Sequence, residues 1–219
     1  MRESIPSSVV RRLTKYLTCL QEAGQRGLRW VSSLELAEQL GLTSSTVRQD
    51  LRHVDFSGRS KRGYEVAGLK KALERLLGAD QRWPVVVVGA GNLGRALAQH
   101  EEFERRGFAI EALFDDDPAK VGRRCGRLTV RSMDEIGPAL AGRGAVLGVI
   151  AVPAGSAQRV ADLLIAAGVR GLLNLSPGHI IAPQRVPTVD ARVVASLQEL
   201  AHAVMARRLA AKPAPRPRG

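Results

Sequence analysis

From the amino terminus, apolar positions recur at helical spacing. Val9, Leu13, Tyr16, Leu17 and Leu20 line one face of a helix that Ile5-Pro6-Ser7-Ser8 opens. Ser32 and Glu35 form a capping box for a second helix over 34–40, which Gly41 stops. Thr43 can cap a third helix over 44–54, where Val47, Leu51 and Val54 share one stripe at i, i+4 and i+7. The stretch 56–66 is rich in Gly, Ser and basic residues and ends in the strand-like Tyr64-Glu65-Val66. Residues 69–77 predict a short amphipathic helix, and Gly78-Ala79-Asp80-Gln81-Arg82 reads as a domain boundary.

Beyond Trp83 the period changes. Short apolar runs at 85–88, 110–114, 146–152 and 171–175 suit buried parallel strands. Helical stretches at 93–105, 133–140 and 157–167 lie between them. This alternation predicts a doubly wound α/β domain. A last helix over 193–209 places Val194, Leu197, Leu200, Ala201 and Val204 on one face, and residues 210–219 read as a disordered basic tail. The expected layout is therefore a winged helix-turn-helix domain at 1–79, a Rossmann-type parallel sheet at 80–190, a dimerisation helix at 191–209, and the tail.

Charge sharpens this picture. The net value is +12, unevenly distributed. Residues 1–78 hold 14 Lys/Arg against 8 Asp/Glu, residues 79–205 hold 14 against 13, and residues 206–219 hold 5 basic residues and no acid. A balanced middle between basic ends points to a polyanion met by the N-terminal part. No apolar run reaches the ~18 residues of a membrane span, and the start lacks a secretory signal. Cys19 and Cys125 lie far apart, without metal-like spacing, and read as reduced thiols of a cytoplasmic protein. No metal site is expected.

Two motifs carry chemistry. Gly41-Leu42-Thr43 is the short turn of a helix-turn-helix, and Ser45, Gln49 and Arg52, with Arg48 beside them, fall opposite the apolar stripe of the third helix. A recognition helix needs this division, with one side anchored and the other offering donors to the major groove. Gln can pair bidentately with adenine, and Arg with guanine or phosphate. The hydroxyls of Ser44 and Thr46 suit phosphate oxygens. Arg59, Lys61 and Arg62 would form a basic wing on the backbone or in the minor groove.

The second motif follows the strand at 85–88. Gly89-Ala90-Gly91-Asn92-Leu93-Gly94 is a GxGxxG fingerprint at a helix start. Gly89 permits the tight turn, Gly91 lets a pyrophosphate approach the backbone, and Gly94 allows close helix–strand packing. Asp115, 21 residues after Gly94, is placed to meet the adenosine ribose hydroxyls, and its carboxylate favours NAD(H) by repelling a 2′-phosphate. Asp116 and Lys120 follow in the same loop. Val152 and Pro153 end one later strand and Asn174 another, where they could line the nicotinamide side.

Together these segments resemble the Rex family of redox-sensing transcriptional repressors. The resemblance runs from about Ile5 to Met205. It is carried by Ile5-Pro6, Arg12-Leu13, Tyr16-Leu17, Ser32-Ser33, Leu36-Ala37, Val47-Arg48-Gln49-Asp50-Leu51 and Gly63-Tyr64. It continues through Val88-Gly89-Ala90-Gly91-Asn92-Leu93-Gly94-Arg95-Ala96-Leu97, Phe114-Asp115-Asp116-Asp117-Pro118-Ala119-Lys120-Val121-Gly122 and Gly171-Leu172-Leu173-Asn174. It implies a homodimer whose C-terminal helix, domain-swapped, packs against the partner subunit. It also implies that NADH draws the Rossmann domains together and releases the winged helices from a palindromic operator.

Four positions at three places in the chain depart from the family pattern. His100 stands where a tyrosine is usual, Arg192-Val193 replaces an Asp-Phe or Asp-Leu pair near the nicotinamide, and Gln49 replaces a common lysine. Two alternatives stay open at this point. One is a paralogue that binds DNA without responding to NADH. The other is an NAD-dependent dehydrogenase, which leaves little chain for a substrate domain and no His–Asp or Lys–Tyr pair at catalytic spacing.

Overall fold

The structure, a computed structural model, describes residues 5–144 and 146–210. The chain divides into two compact units, residues 1–82 and 83–219. The expected tail falls almost wholly outside the described residues.

The first unit is built from α1 (Ser7–Gln25), β1 (Trp30–Val31), α2 (Ser33–Leu40), α3 (Ser44–Leu51), β2 (Tyr64–Glu65) and α4 (Val66–Leu77). Its core follows the helical period. Leu13, Tyr16 and Leu20 of α1 pack with Leu36 of α2, Val47 and Leu51 of α3, and Leu69 and Leu73 of α4, all essentially without solvent contact. Each such leucine contributes about 2 kcal/mol by leaving water. The capping box at the start of α2 forms as read, with Glu35 N–H donating to Ser32 Oγ and Ser32 N–H to the Glu35 carboxylate. Gly41 closes α2 in the left-handed region, at φ 63°.

α3 is shorter than its pattern predicts. After Leu51, the N–H groups of Arg52, His53 and Val54 each turn back to a carbonyl three residues earlier, so the last turn tightens out of α geometry. Val54 nevertheless stays buried. β1 and β2 pair antiparallel, with Trp30 opposite Glu65 and Val31 opposite Tyr64, and the segment 52–63 between α3 and β2 forms the wing.

The second unit contains β3 (Trp83–Val88), α5 (Asn92–Gln99), α6 (Glu101–Arg105), β4 (Phe108–Asp115), β5 (Arg124–Cys125), β6 (Leu128–Ser132), α7 (Ile136–Leu140), β7 (Leu147–Ile150), α8 (Ala157–Ala166), β8 (Gly171–Asn174), β9 (Thr188–Asp190) and α9 (Val193–Ala210). The sheet order is β5-β6-β4-β3-β7-β8-β9, and every pairing is parallel except β5 with β6. Alternate residues of β3 serve opposite faces. Val86 and Val88 pack with α7 and α8, while Val85 and Val87 pack towards α5 and α6. The chain leaves β3 for β4 and β6 on one side, then crosses to β7 on the other. That reversal creates a crevice at the carboxyl ends of β3 and β7, where doubly wound sheets bind ligands.

Two features differ from the pattern. The stretch 93–105 is not one helix but breaks at His100, whose extended backbone (φ −85°, ψ 107°) separates α5 from α6. The His100 ring compensates by accepting from Glu102 N–H at 3.3 Å, which caps α6. β5 and β9, at the two edges of the sheet, have no apolar run that announces them, because edge strands need not bury both faces, and β6, one strand in, is short and only partly buried.

Candidate nucleic-acid interface and dinucleotide cleft

α3 is anchored by more than its apolar stripe. Asp50 lies on the buried side, where its carboxylate accepts from Arg12 Nε at 2.6 Å, Arg12 Nη2 at 2.7 Å and Tyr16 Oη at 2.7 Å. Its side chain is only 4% exposed. Burial pushes the Asp50 carboxyl up, yet the hydrogen bonds from Arg12 and Tyr16 outweigh it and hold the group below its usual range. Burial and the adjacent carboxylate both push the Tyr16 phenol up. This bidentate clamp ties α3 to α1 and sets the angle at which the opposite face is presented.

On that face Ser45, Arg48, Gln49 and Arg52 are exposed, while Ser44 and Thr46 are half-buried. Arg52 sits at the C-cap rather than inside the helix. Thr43 Oγ1 accepts from Thr46 N–H at 3.2 Å and lies 2.9 and 2.8 Å from the hydroxyls of Ser45 and Thr46, so the first turn presents a linked hydroxyl chain. Arg48 reaches Ser33 of α2 and Ser44, both at 3.3 Å. Gln49 and Arg52 carry the outward donors.

The wing turns back at 59–63, with Arg59 N–H donating to Gly63 O at 2.7 Å and Gly63 N–H to Arg59 O at 3.0 Å. Lys61 holds φ 61°, the one non-glycine residue with positive φ among the described residues. Arg59, Lys61 and Arg62 are all exposed.

In the second unit Gly89, at φ 105°, lets the loop after β3 meet the loop after β7. A Cβ there would fall 2.3 Å from Ala151 O. A Cβ on Gly94 would strike Gly89 O, so α5 can rest on β3 only with glycine at this position. Gly91 differs: its Cβ would meet nothing within 4 Å, and it opens onto a cleft of about 280 Å³. Gly89, Gly91, Asp115, Asp116, Lys120, Val152 and Pro153 come together there, joined by Met133, Ser156 and Val160, which the sequence reading did not single out. The N-terminus of α5 faces Gly91, with the unbonded N–H groups and positive dipole of a helix start. An open glycine, a helix N-terminus and a neighbouring acid fit a dinucleotide pyrophosphate and ribose.

Asp115 is tightly held. It accepts from Ala90 N–H at 2.6 Å, Asp117 N–H at 2.9 Å and Lys120 Nζ at 3.2 Å. Burial raises its pKa, but these donors win and hold the carboxylate below its usual range. Burial lowers the Lys120 pKa, and the bond to Asp115 outweighs it, leaving the ammonium raised. Asp115 thus braces the glycine turn, and Asp116, exposed and paired with Arg159 at 2.8 Å, is the acid more open to the cleft. Ala90 and Gly94 are buried, while Asn92 and Leu93 are exposed on α5; these four do not line the cleft.

Asn174 is fully buried and does not line the cleft either. Its Nδ2 donates to Gly178 O at 2.9 Å and Asp190 Oδ1 at 2.7 Å, and its Oδ1 accepts from Ser176 N–H. It pins the loop after β8 to β9. Arg192 belongs to the same cluster, donating to Gly178 O at 3.4 Å beside Asp190. Among the described residues, no group of three His, Cys, Asp or Glu could hold a metal ion, and no helix is long and apolar enough to cross a membrane.

A winged-helix unit followed on the same chain by a dinucleotide-type cleft defines a class: transcription regulators that carry a nucleotide-binding domain. Comparisons with known proteins narrow it. Residues 4–51 match the family described as "Putative DNA-binding protein N-terminus", and residues 80–178 match the CoA binding domain family. The chain is 42% identical over 197 residues to the redox-sensing transcriptional repressor Rex of Chloroflexus aggregans, spanning 90% of this chain and 93% of that protein. It is 39% identical over 208 residues to redox-sensing transcriptional repressor Rex 1 of Thermotoga maritima, spanning 94% and 99%. Among solved structures, RSP in complex with β-NAD+ and operator DNA superposes with a TM-score of 0.88 at 30% identity, covering 95% of this chain and 96% of that one. RSP in complex with β-NADH superposes at 0.85. The chain belongs to the Rex family of redox-sensing transcriptional repressors.

Proposed function

We propose that this chain is a DNA-binding transcriptional repressor that senses the NADH/NAD redox state and leaves its operator when NADH binds. The observation that carries this reading is similarity over nearly the whole chain to a protein solved both on operator DNA with NAD+ and with NADH. The residues supply the parts. Gln49 and Arg52 of the α3 face read base edges, Ser44, Ser45, Thr46 and Arg48 contact phosphates, and Arg59, Lys61 and Arg62 extend the contact from the wing. The backbone at Gly89 and Gly91, with the N-terminus of α5, cradles the pyrophosphate, Asp116 with Asp115 meets the ribose, and Val152 and Pro153 border the nicotinamide side. The cofactor supplies a ring whose charge changes on reduction. The protein works as a homodimer joined through α9, with one winged helix per operator half-site, in the cytoplasm. It acts as a regulator and not as an enzyme.

The coupling required is modest. A hundredfold change in DNA affinity needs about 2.7 kcal/mol of differential nucleotide binding between two dimer geometries. The test is a mobility-shift titration on a duplex selected from a random pool by the protein itself. NADH is expected to release the duplex at concentrations where NAD+ does not. Indifference to both nucleotides would mean constitutive DNA binding, and oxidation of NADH by a carbonyl substrate would mean a dehydrogenase.

A further inference from the structure

In the wing, the guanidinium of Arg59 lies 5.4 Å from the centre of the Trp30 ring and that of Arg62 lies 5.5 Å from it. Neither guanidinium has a hydrogen bond or ion pair within the described residues, so the indole is the partner they share. Arg29 and Lys61 add two more exposed cations, while the nearby Glu65 already faces Arg29 at 3.9 Å. Two like charges gathered on one ring repel each other, and an anion bound between them offsets that repulsion.

The backbone is built to bring them there. Trp30 pairs across β1–β2 with Glu65, which fixes where the ring stands relative to the wing. Gly63, at φ 85°, lets the wing lie directly on β1, since a Cβ there would fall 2.4 Å from Val31 O. The left-handed Lys61 reverses the chain between the two arginines, so that both return to the same indole. A β-branched or charged residue at position 30 would leave both side chains to sample solvent. Ordering each rotamer-rich side chain would then fall on the binding step.

We propose that Trp30 is a positioning residue for DNA binding, holding Arg59 and Arg62 as a preset pair of guanidiniums that grips the duplex backbone beside the groove read by α3. This rests on the reading of the chain as a DNA-binding protein with the wing on the DNA. The indole need not touch DNA itself, and its contribution comes through the two arginines.

The test uses the full-length protein and a duplex selected from a random pool by the wild type. Trp30→Phe keeps an aromatic face, whereas Trp30→Leu keeps bulk without one, and thermal unfolding verifies that both are folded. Phe is expected to bind the duplex within about twofold of wild type, and Leu roughly three- to tenfold more weakly. Arg59→Ala and Arg62→Ala should each weaken binding and lower the slope of log affinity against log salt by about 1, while Trp30→Leu leaves that slope unchanged because the cations remain. In a Trp83→Phe background, where Trp30 is the sole tryptophan, its emission should change on titration with the duplex. If the arginine variants weaken binding but Trp30→Leu binds as tightly as wild type, Trp30 positions nothing and the proposal fails. If the arginine variants also bind normally, the wing itself is off the DNA, and both the proposal and that part of the functional reading fall.

Discussion

Asp50 shows how one residue can join stability to function. Its carboxylate is buried against Arg12 and Tyr16, thirty-eight and thirty-four residues away in the chain. The folded carboxyl titrates below its ordinary value, so its contribution is complete above the unfolded pKa of about 3.9 and is lost as pH falls through the lower folded value. The Tyr16 phenol is shifted upward, so its contribution is complete below about pH 10 and is lost as pH rises through the higher folded value. Asp50→Asn should therefore destabilise the protein by roughly 2–3 kcal/mol at neutral pH, because the bonds from Arg12 and Tyr16 lose their charged acceptor. It should also flatten the acid limb of the stability curve. Urea denaturation between pH 3 and 8 checks both, and an unchanged acid limb would show that the clamp does not titrate. Asp50 falls beside Val47 and Leu51 on the helix, but the sequence does not say which donors far along the chain would satisfy it there.

At the scale of the element, the turn from β3 into α5 separates packing from binding. Gly91 and Gly94 stand three residues apart in one motif, yet the space around them differs. Gly94→Ala would push a methyl into Gly89 O and force α5 off the sheet. A loss of about 3 kcal/mol or more is expected, together with loss of nucleotide binding. Gly91→Ala meets no heavy atom within 4 Å and keeps an ordinary φ of −75°. Its stability should stay within about 0.5 kcal/mol of wild type, while NADH affinity should fall by about tenfold or more, because the methyl would stand on the approach proposed above for the pyrophosphate. Thermal unfolding and NADH fluorescence titration measure the two effects separately. Native NADH affinity in Gly91→Ala would remove the cradle from the binding site.

For the whole molecule, α9 raises the question of partnership. Val193, Val194, Leu197, Leu200, Val204 and Met205 are all exposed in the single chain, and so continuous an apolar surface marks an interaction site. The homodimer proposed above would cover it. Light scattering after gel filtration should find the wild type dimeric and the Leu197→Arg, Leu200→Arg double variant monomeric. Operator affinity should drop by about a hundredfold, as the second half-site is no longer bound intramolecularly. A variant that stays dimeric would place the interface elsewhere.

Sequence alone determined what depends on local period and short spacing. The α3 stripe, the capping box at Ser32 and Glu35, the glycine turn before α5 and the alternation of strand and helix all act within a few residues, so the chain displays them directly. Tertiary structure decided whatever depends on partners distant in the chain. Asp115 proved to brace Ala90 and Lys120, Asn174 to pin Gly178 and Asp190 instead of lining the cleft, and Trp30 to gather the wing arginines. The edge strand β9 also emerged only in three dimensions. A side chain declares its type in sequence, but its hydrogen-bonding capacity is assigned only when folding settles which donors reach it first.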